Sequence, residues 1–193
     1  MTDLSDPAPS ELAAPSDPAA LSDLSDLFDL STERLSLHLL TVEEGRRIVD
    51  VAPGEQDVWA EDFPMQDDRD GVKGFLGAAE AGHDAGPFGC YRIDRAAPDG
   101  AAIGTIGFYG PPDEQGQVMF GYGLVPGARG SGYATEALAA LVAFCRSHDG
   151  VRTMVADTEA GNTASQRVLD KTGFALVKEE GDMCFYRLDA TAG

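Results

Sequence analysis

Cysteine is scarce in this chain and never clustered: Cys90, Cys145 and Cys184 lie far apart, with no C-x-x-C pair. That spacing argues against a zinc site or a disulfide framework. Cys145 falls on an apolar helical face, where packing explains it. Positive charge is scarce too: 14 Lys and Arg stand against 33 Asp and Glu, for a formal net charge of −19. Such a surface repels nucleic-acid phosphates. It favours cationic partners such as amines through long-range steering, while the same acidity also serves plain solubility. Nothing approaches the roughly 20 apolar residues of a membrane span. The first residues have neither the basic patch nor the apolar stretch of a secretion signal. These absences predict a cytoplasmic protein with no metal, no nucleic acid and no membrane among its partners.

What is present suffices for one sizeable domain of 193 residues. Residues 1–30 hold seven acidic residues and no basic one, in repeated Ser-Asp-Pro and Ser-Asp-Leu units. Such a segment cannot bury enough surface to offset its ordering entropy, so it reads as a flexible tail before a domain over residues 31–190. Leu21, Leu24, Leu27 and Phe28 offer a short docking helix as the alternative. Leu35, Leu37 and Leu39 alternate in a first strand, and Thr41-Val-Glu-Glu44 is a capping box opening a helix through about Val51. A second helix is expected from Asp67 to Ala81, then strands at Phe88–Arg92 and Ile103–Tyr109. A buried strand at Val151–Ala156, a loop at Asp157–Gly161 and a helix at Thr163–Thr172 follow. Gly173 is placed as its left-handed terminator, and a hairpin of Phe174–Val177 with Met183–Leu188 closes the chain.

The segment from Gly121 to Arg146 organises the rest. Val118, Phe120, Tyr122 and Leu124 alternate with Met119, Gly121 and Gly123 in a strand that Pro126 must end. Gly127, Gly130 and Gly132 form a tight loop, after which Ala137, Leu138, Leu141, Val142 and Cys145 mark one helical face. Glycines before a helix N-terminus, where backbone N–H groups lack partners and the dipole is positive, make a candidate anion cradle. The loop lacks Gly-Lys-Ser/Thr and the third glycine of G-x-G-x-x-G, so the two commonest nucleotide loops do not fit.

The pattern R-x-x-G-x-G/A does fit, as Arg129 to Ala134. With the block Asn162-x-x-Ser165-x-x-Val168-Leu169-x-Lys171-x-Gly173-Phe174, it resembles the GNAT superfamily of N-acetyltransferases, in its RimJ/RimL-like branch. The resemblance spans roughly Thr32 to Asp189. It implies a mixed α/β fold: a mostly antiparallel sheet with one central parallel βαβ crossover and helices on both faces. It also implies an acetyl-CoA-dependent N-acetyltransferase acting on a primary amine by direct attack in a ternary complex. The acceptor would be an amine-bearing small molecule or a protein N-terminus, and related proteins often form homodimers. A non-catalytic acyl-CoA-binding module is the alternative.

Acyl transfer to an amine needs a held thioester, a polarised carbonyl, a neutral amine and a protonated leaving thiolate. The resemblance gives the diphosphate to Arg129, Gly130, Ser131, Gly132, Tyr133 and Ala134, and the pantetheine to the main chain of Leu124 and Val125. A backbone N–H near Val125 would face the acyl oxygen. Asn162 reads as an N-cap, and the resemblance adds a contact with the pantetheine. Ser165 reads either as a small packing residue or as the hydroxyl that protonates the thiolate. The tyrosine that many relatives carry one turn later is Leu169 here. Relatives often carry an acid where this chain has Met119, so Glu61, Asp62 and Asp157 remain as candidate bases. The resemblance also implies that Trp59, Glu61, Asp62 and Phe63 are substrate-side candidates; the other reading is core packing for the two aromatics and a solvated turn for the two acids.

Overall fold

The computed structural model describes residues 28–191 apart from 84 and 97; the expected acidic tail lies, up to residue 27, outside the described residues. A single sheet of eight strands has the order β1-β2-β3-β4-β5-β6-β8-β7. The strands are β1 (Leu30–Ser31), β2 (Leu35–Leu39), β3 (Cys90–Arg95), β4 (Ala102–Phe108), β5 (Gln117–Leu124), β6 (Thr153–Glu159), β7 (Ala175–Glu180) and β8 (Met183–Asp189). The helices are α1 (Val42–Asp50), α2 (Gln66–Glu80), α3 (Tyr133–Arg146) and α4 (Thr163–Lys171). Every neighbouring pair is antiparallel except β5 and β6, which α3 joins as a parallel crossover.

Alternation sorts the two faces. Phe108 and Phe120 point toward α3, where Phe108 meets Phe144 at 6.1 Å between ring centres. Thr105, Gly107, Gly121 and Gly123 point the other way, toward α2. The expected core face of α3 is buried throughout, with Ala137, Leu138, Leu141 and Cys145 sealed from solvent. Leu35, Leu37 and Ile48 are sealed as well, with Leu39 nearly so, as the alternation and the capping box predict.

Several boundaries differ from expectation. Phe88 belongs to a single 3-10 turn (Gly86–Phe88) rather than to β3, because Pro87 has no N–H for a ladder. Its ring still packs on Phe108 and Phe144. Asp157 lies inside β6, which pairs with β8 as far as Glu159, and not in a loop. Phe174 serves the end of α4 instead of starting β7. Its N–H donates to Leu169 O (3.0 Å) while that of Gly173, at φ 91, donates to Asp170 O (3.2 Å). This paired bonding is the left-handed helix terminator the sequence placed there.

Candidate active site

β5 and β6 pair over three positions only, Gln117↔Thr153, Val118↔Met154 and Met119↔Val155. Beyond them the strands diverge, and a cleft of about 610 Å³ passes through the fork from one face of the sheet to the other. On the α3 side Tyr122, Ala156, Asn162 and Ser165 line it; on the α2 side it is walled by Thr105, Gly107, Gly121 and Gly123. The opposing wall is α2 itself, whose Gly71 and Gly74 would point a Cβ into open space. Helix-interior glycine costs about 1 kcal/mol against alanine, so this wall is left bare at some expense. Asp67, Asp70 and Asp157 also line the cleft, and no described basic side chain does.

The β5 edge facing the fork carries usable main-chain groups. Val125 N donates to Ile103 O (2.9 Å) and Tyr109 N donates to Met119 O (2.9 Å), so odd-numbered residues of β5 bond to β4. Antiparallel alternation then turns the N–H groups of Tyr122 and Leu124 toward the gap. The expected oxyanion donor is therefore corrected: the Val125 amide is committed to β4, and the free donor at that height is Leu124. Arg129 differs from expectation as well: its own N–H, expected at the diphosphate, donates to Pro126 O (3.1 Å), and its side-chain Nε donates to Leu124 O (2.9 Å) and closes the strand end.

The glycine loop matches its expected geometry. Gly130 (φ 78) and Gly132 (φ 84) are left-handed, a Cβ at Gly130 would meet nothing within 4 Å, and Gly132 caps α3 without a side-chain bond. The first helical main-chain bond is Glu136 N to Gly132 O. The amides of residues 130–135, six in a row, donate to no protein acceptor among the described residues. Such a concave run of N–H groups at a helix start binds anions. Arg34 braces it from the β1–β2 turn. Its Nη1 donates to Ser131 O (3.0 Å), its Nε to Glu136 (2.6 Å), and its guanidinium lies 4.8 Å from the centre of the Tyr133 ring. Nothing in the local sequence around Arg34 signals this contact, which spans about a hundred residues.

At the other end of the cleft, Tyr122 Oη and Ser165 Oγ share a 2.8 Å hydrogen bond, and Asn162 Oδ1 accepts from Ser165 N (3.1 Å). Burial pushes the Tyr122 hydroxyl above its ordinary pKa, against a smaller lowering by Ser165. Leu169 is buried beside them. A tyrosine hydroxyl thus reaches the cleft from β5 rather than from α4. Its position on the alternating strand was visible in the sequence, but its partner was not.

The substrate-side candidates fall elsewhere. Phe63 is buried and Trp59 half-buried, their rings 5.4 Å apart, and Trp59 bridges to Ala102. Glu61 and Asp62 are exposed, and none of the four lines the cleft. The aromatics pack with the hydrophobic core, and α2 rather than the segment before it walls the site.

Residues 34–175 match the acetyltransferase (GNAT) domain family, which covers well over half of the chain. The chain belongs to the GNAT acetyltransferases. Among its GNAT relatives is the uncharacterized N-acetyltransferase YjdG of Bacillus subtilis, 36% identical over 74 residues. That alignment covers 38% of this chain and 44% of YjdG, so it spans less than half of either. Solved GNAT structures share the fold. One is a GNAT-family acetyltransferase from Bacillus anthracis, with a TM-score of 0.59 and 19% identity over 84% of this chain and 98% of that one. Another is RimL, the ribosomal L7/L12 α-N-protein acetyltransferase in complex with coenzyme A, with a TM-score of 0.59 and 17% identity over 83% and 97%. No helix among the described residues is long and apolar enough to cross a membrane.

Proposed function

We propose that this protein transfers the acetyl group of acetyl-CoA directly to a primary amine in a ternary complex. The observation that carries the reading is the run of six unpartnered amides at residues 130–135, opening beside a forked strand pair. The open left-handed glycines suit a diphosphate, and the exposed β5 edge suits a pantetheine arm running as one more strand. Acetyl-CoA supplies an activated acyl thioester. The Leu124 N–H, turned to the fork, is placed to polarise the acyl oxygen. Ser165 and Tyr122, sharing one hydrogen bond, hold a proton for the departing sulfur. Asn162 keeps Ser165 in place by accepting its backbone N–H.

The acceptor enters from the α2 side, where the glycine walls leave room and three carboxylates face the cleft. A side lined by acids and no base attracts a cation, and an amine is one at neutral pH, its pKa being roughly 8 for an α-amine and 10 for an alkylamine. RimL acts on a protein N-terminus, which makes such an amine one class to test beside small-molecule amines. The experiment is thiol release from acetyl-CoA across a panel of amines, including peptides with different first residues. Release with at least one amine supports the reading; CoA binding without release from any would favour a non-catalytic acyl-CoA-binding module.

A further inference from the structure

Buried beneath the cleft is a carboxylate that the reading above leaves unused. Asp68, in the first turn of α2, is only 2% exposed. Its Oδ2 accepts the N–H of Met65 (2.9 Å) and its Oδ1 accepts the hydroxyl of Thr105 (2.7 Å). Among the described residues no lysine, arginine or histidine forms an ion pair with it. Closing a helix N-terminus needs only an oxygen, and serine or asparagine would supply one without burying a charge. The unneutralised carboxyl calls for another explanation, and Thr105 provides it. Its side chain lines the cleft on the same face as Gly123, one residue from the Leu124 amide. Gly123 has no side chain to screen the pair: a Cβ there would lie 3.6 Å from Asp68 Oδ1.

We propose that Thr105 and Asp68 together take the proton of the attacking amine, Thr105 as the catalytic residue in contact with the nitrogen and Asp68 as the acceptor behind it. The inference rests on the transferase reading of the same cleft. As the nitrogen bonds to the acyl carbon, it gives one proton to Thr105 Oγ1, and the proton already on that oxygen passes along the 2.7 Å hydrogen bond to Asp68. The leaving sulfur departs with the electron pair of its bond to carbon and takes a proton from the Ser165–Tyr122 pair. The ammonium gives a first proton to solvent on becoming the neutral amine, Asp68 returns the second to solvent, and the Ser165–Tyr122 pair takes one back from solvent, so amide and free thiol form with one proton released per ammonium consumed.

The charged and titratable neighbours are consistent with that role. Burial, the largest influence, lifts the Asp68 carboxyl above its ordinary pKa, Asp67 adds to the lift, and the bonds from Thr105 and Met65 oppose it. From β3 the Cys90 thiol faces it, itself pushed up to about 12 by burial and so neutral. A carboxylate of raised pKa is a stronger base than an exposed one.

The test compares wild type with Thr105→Val, Thr105→Ser and Asp68→Asn in the full chain. It follows thiol release against pH, using the best amine of the panel, with CoA affinity and melting temperature measured alongside. Thr105→Val keeps the shape and removes the hydroxyl, so turnover should fall about a hundredfold, the usual scale for a lost proton acceptor. Thr105→Ser should stay within a few-fold of wild type, and CoA affinity should be unmoved in both. Wild-type activity should fall as the pH drops through the Asp68 pKa, and Asp68→Asn should abolish that limb. Equal turnover and pH profile in Thr105→Val overturns the assignment, as does equal damage from Thr105→Ser. So does loss of CoA binding or folding together with activity in Thr105→Val. Should Asp68→Asn not fold, the Thr105 pair decides. A wild type that binds CoA but releases no thiol with any amine overturns the transferase reading and this one together. An active wild type with an indifferent Thr105→Val overturns this one alone.

Discussion

The helices of this protein begin in two ways. α1 starts closed: Thr41 Oγ1 accepts from Glu44 N (3.2 Å), and Glu44 accepts the Thr41 N–H (2.9 Å). α4 starts closed by Asn162. α3 starts open, on a left-handed glycine with no side-chain cap and a row of idle amides before it. A cap is worth about 1 kcal/mol, so leaving one out at α3, whose core face is fully buried, forgoes stability that α1 and α4 retain. The difference leaves the start of α3 free for the proposed diphosphate, while side chains satisfy the starts of α1 and α4.

Breaking that difference gives the largest expected effect. Gly132→Glu brings a side chain and a negative charge to the open end, at φ 84 where only glycine sits without strain. CoA affinity should fall by about a hundredfold or more, roughly 3 kcal/mol, as calorimetry would read it. Unchanged affinity would remove the loop from the site. Next, Tyr122→Phe and Ser165→Ala should each lower turnover about tenfold while leaving CoA affinity alone. Because they share one hydrogen bond, the double variant should cost less than the product of the two.

Thr41→Ala sharpens the comparison from the closed side. It should cost about 1 kcal/mol in denaturant unfolding and nothing in CoA binding, whereas Asn162→Ala should disturb both. The closed end of α1 also carries a pH dependence. His38 sits between Asp29 Oδ2 (2.9 Å) and Glu44 Oε1 (3.0 Å). The Glu44 hydrogen bond outweighs burial and, with Asp29, raises its pKa to about 9 from an ordinary 6.5. A raised pKa means the contribution is complete below 6.5 and is lost as pH climbs through 9. Melting temperature should fall across that window in wild type and less steeply in His38→Gln. The smallest effect is a gain: Gly77→Ala adds a Cβ that meets nothing within 4 Å, and should stabilise α2 by about 0.5–1 kcal/mol with activity intact.

Much of this was legible along the chain, because periodicity and caps are local. The α3 core face, the Thr41–Glu44 box, the Asn162 cap and the Gly173 terminator each depend on residues within a few positions of one another. What sequence reasoning missed is what the sheet brings together from afar. Tyr122 meets Ser165, and Thr105 meets Asp68, only because β5 forks from β6 and α2 lies across β4. Neither pair leaves a spacing to find. The Val125 amide failed as a donor for a related reason. Which N–H of a strand points outward depends on pairing register, and that is fixed by the partner strand rather than by the strand's own residues.

The three-rung junction between β5 and β6 has a further consequence. In an ordinary sheet, threading an extended arm between neighbouring strands would mean breaking their ladder and restoring it on release. Here the seam is already parted along its upper half, so a guest strand would gain hydrogen-bonding edges without any host bond being lost. Occupancy then asks little conformational work of the scaffold, and admission and exit should both be fast. Hydrogen exchange in the free protein should register this directly, with the Tyr122 and Leu124 amides exchanging quickly between slow neighbours at Gly121, Gly123 and Val125.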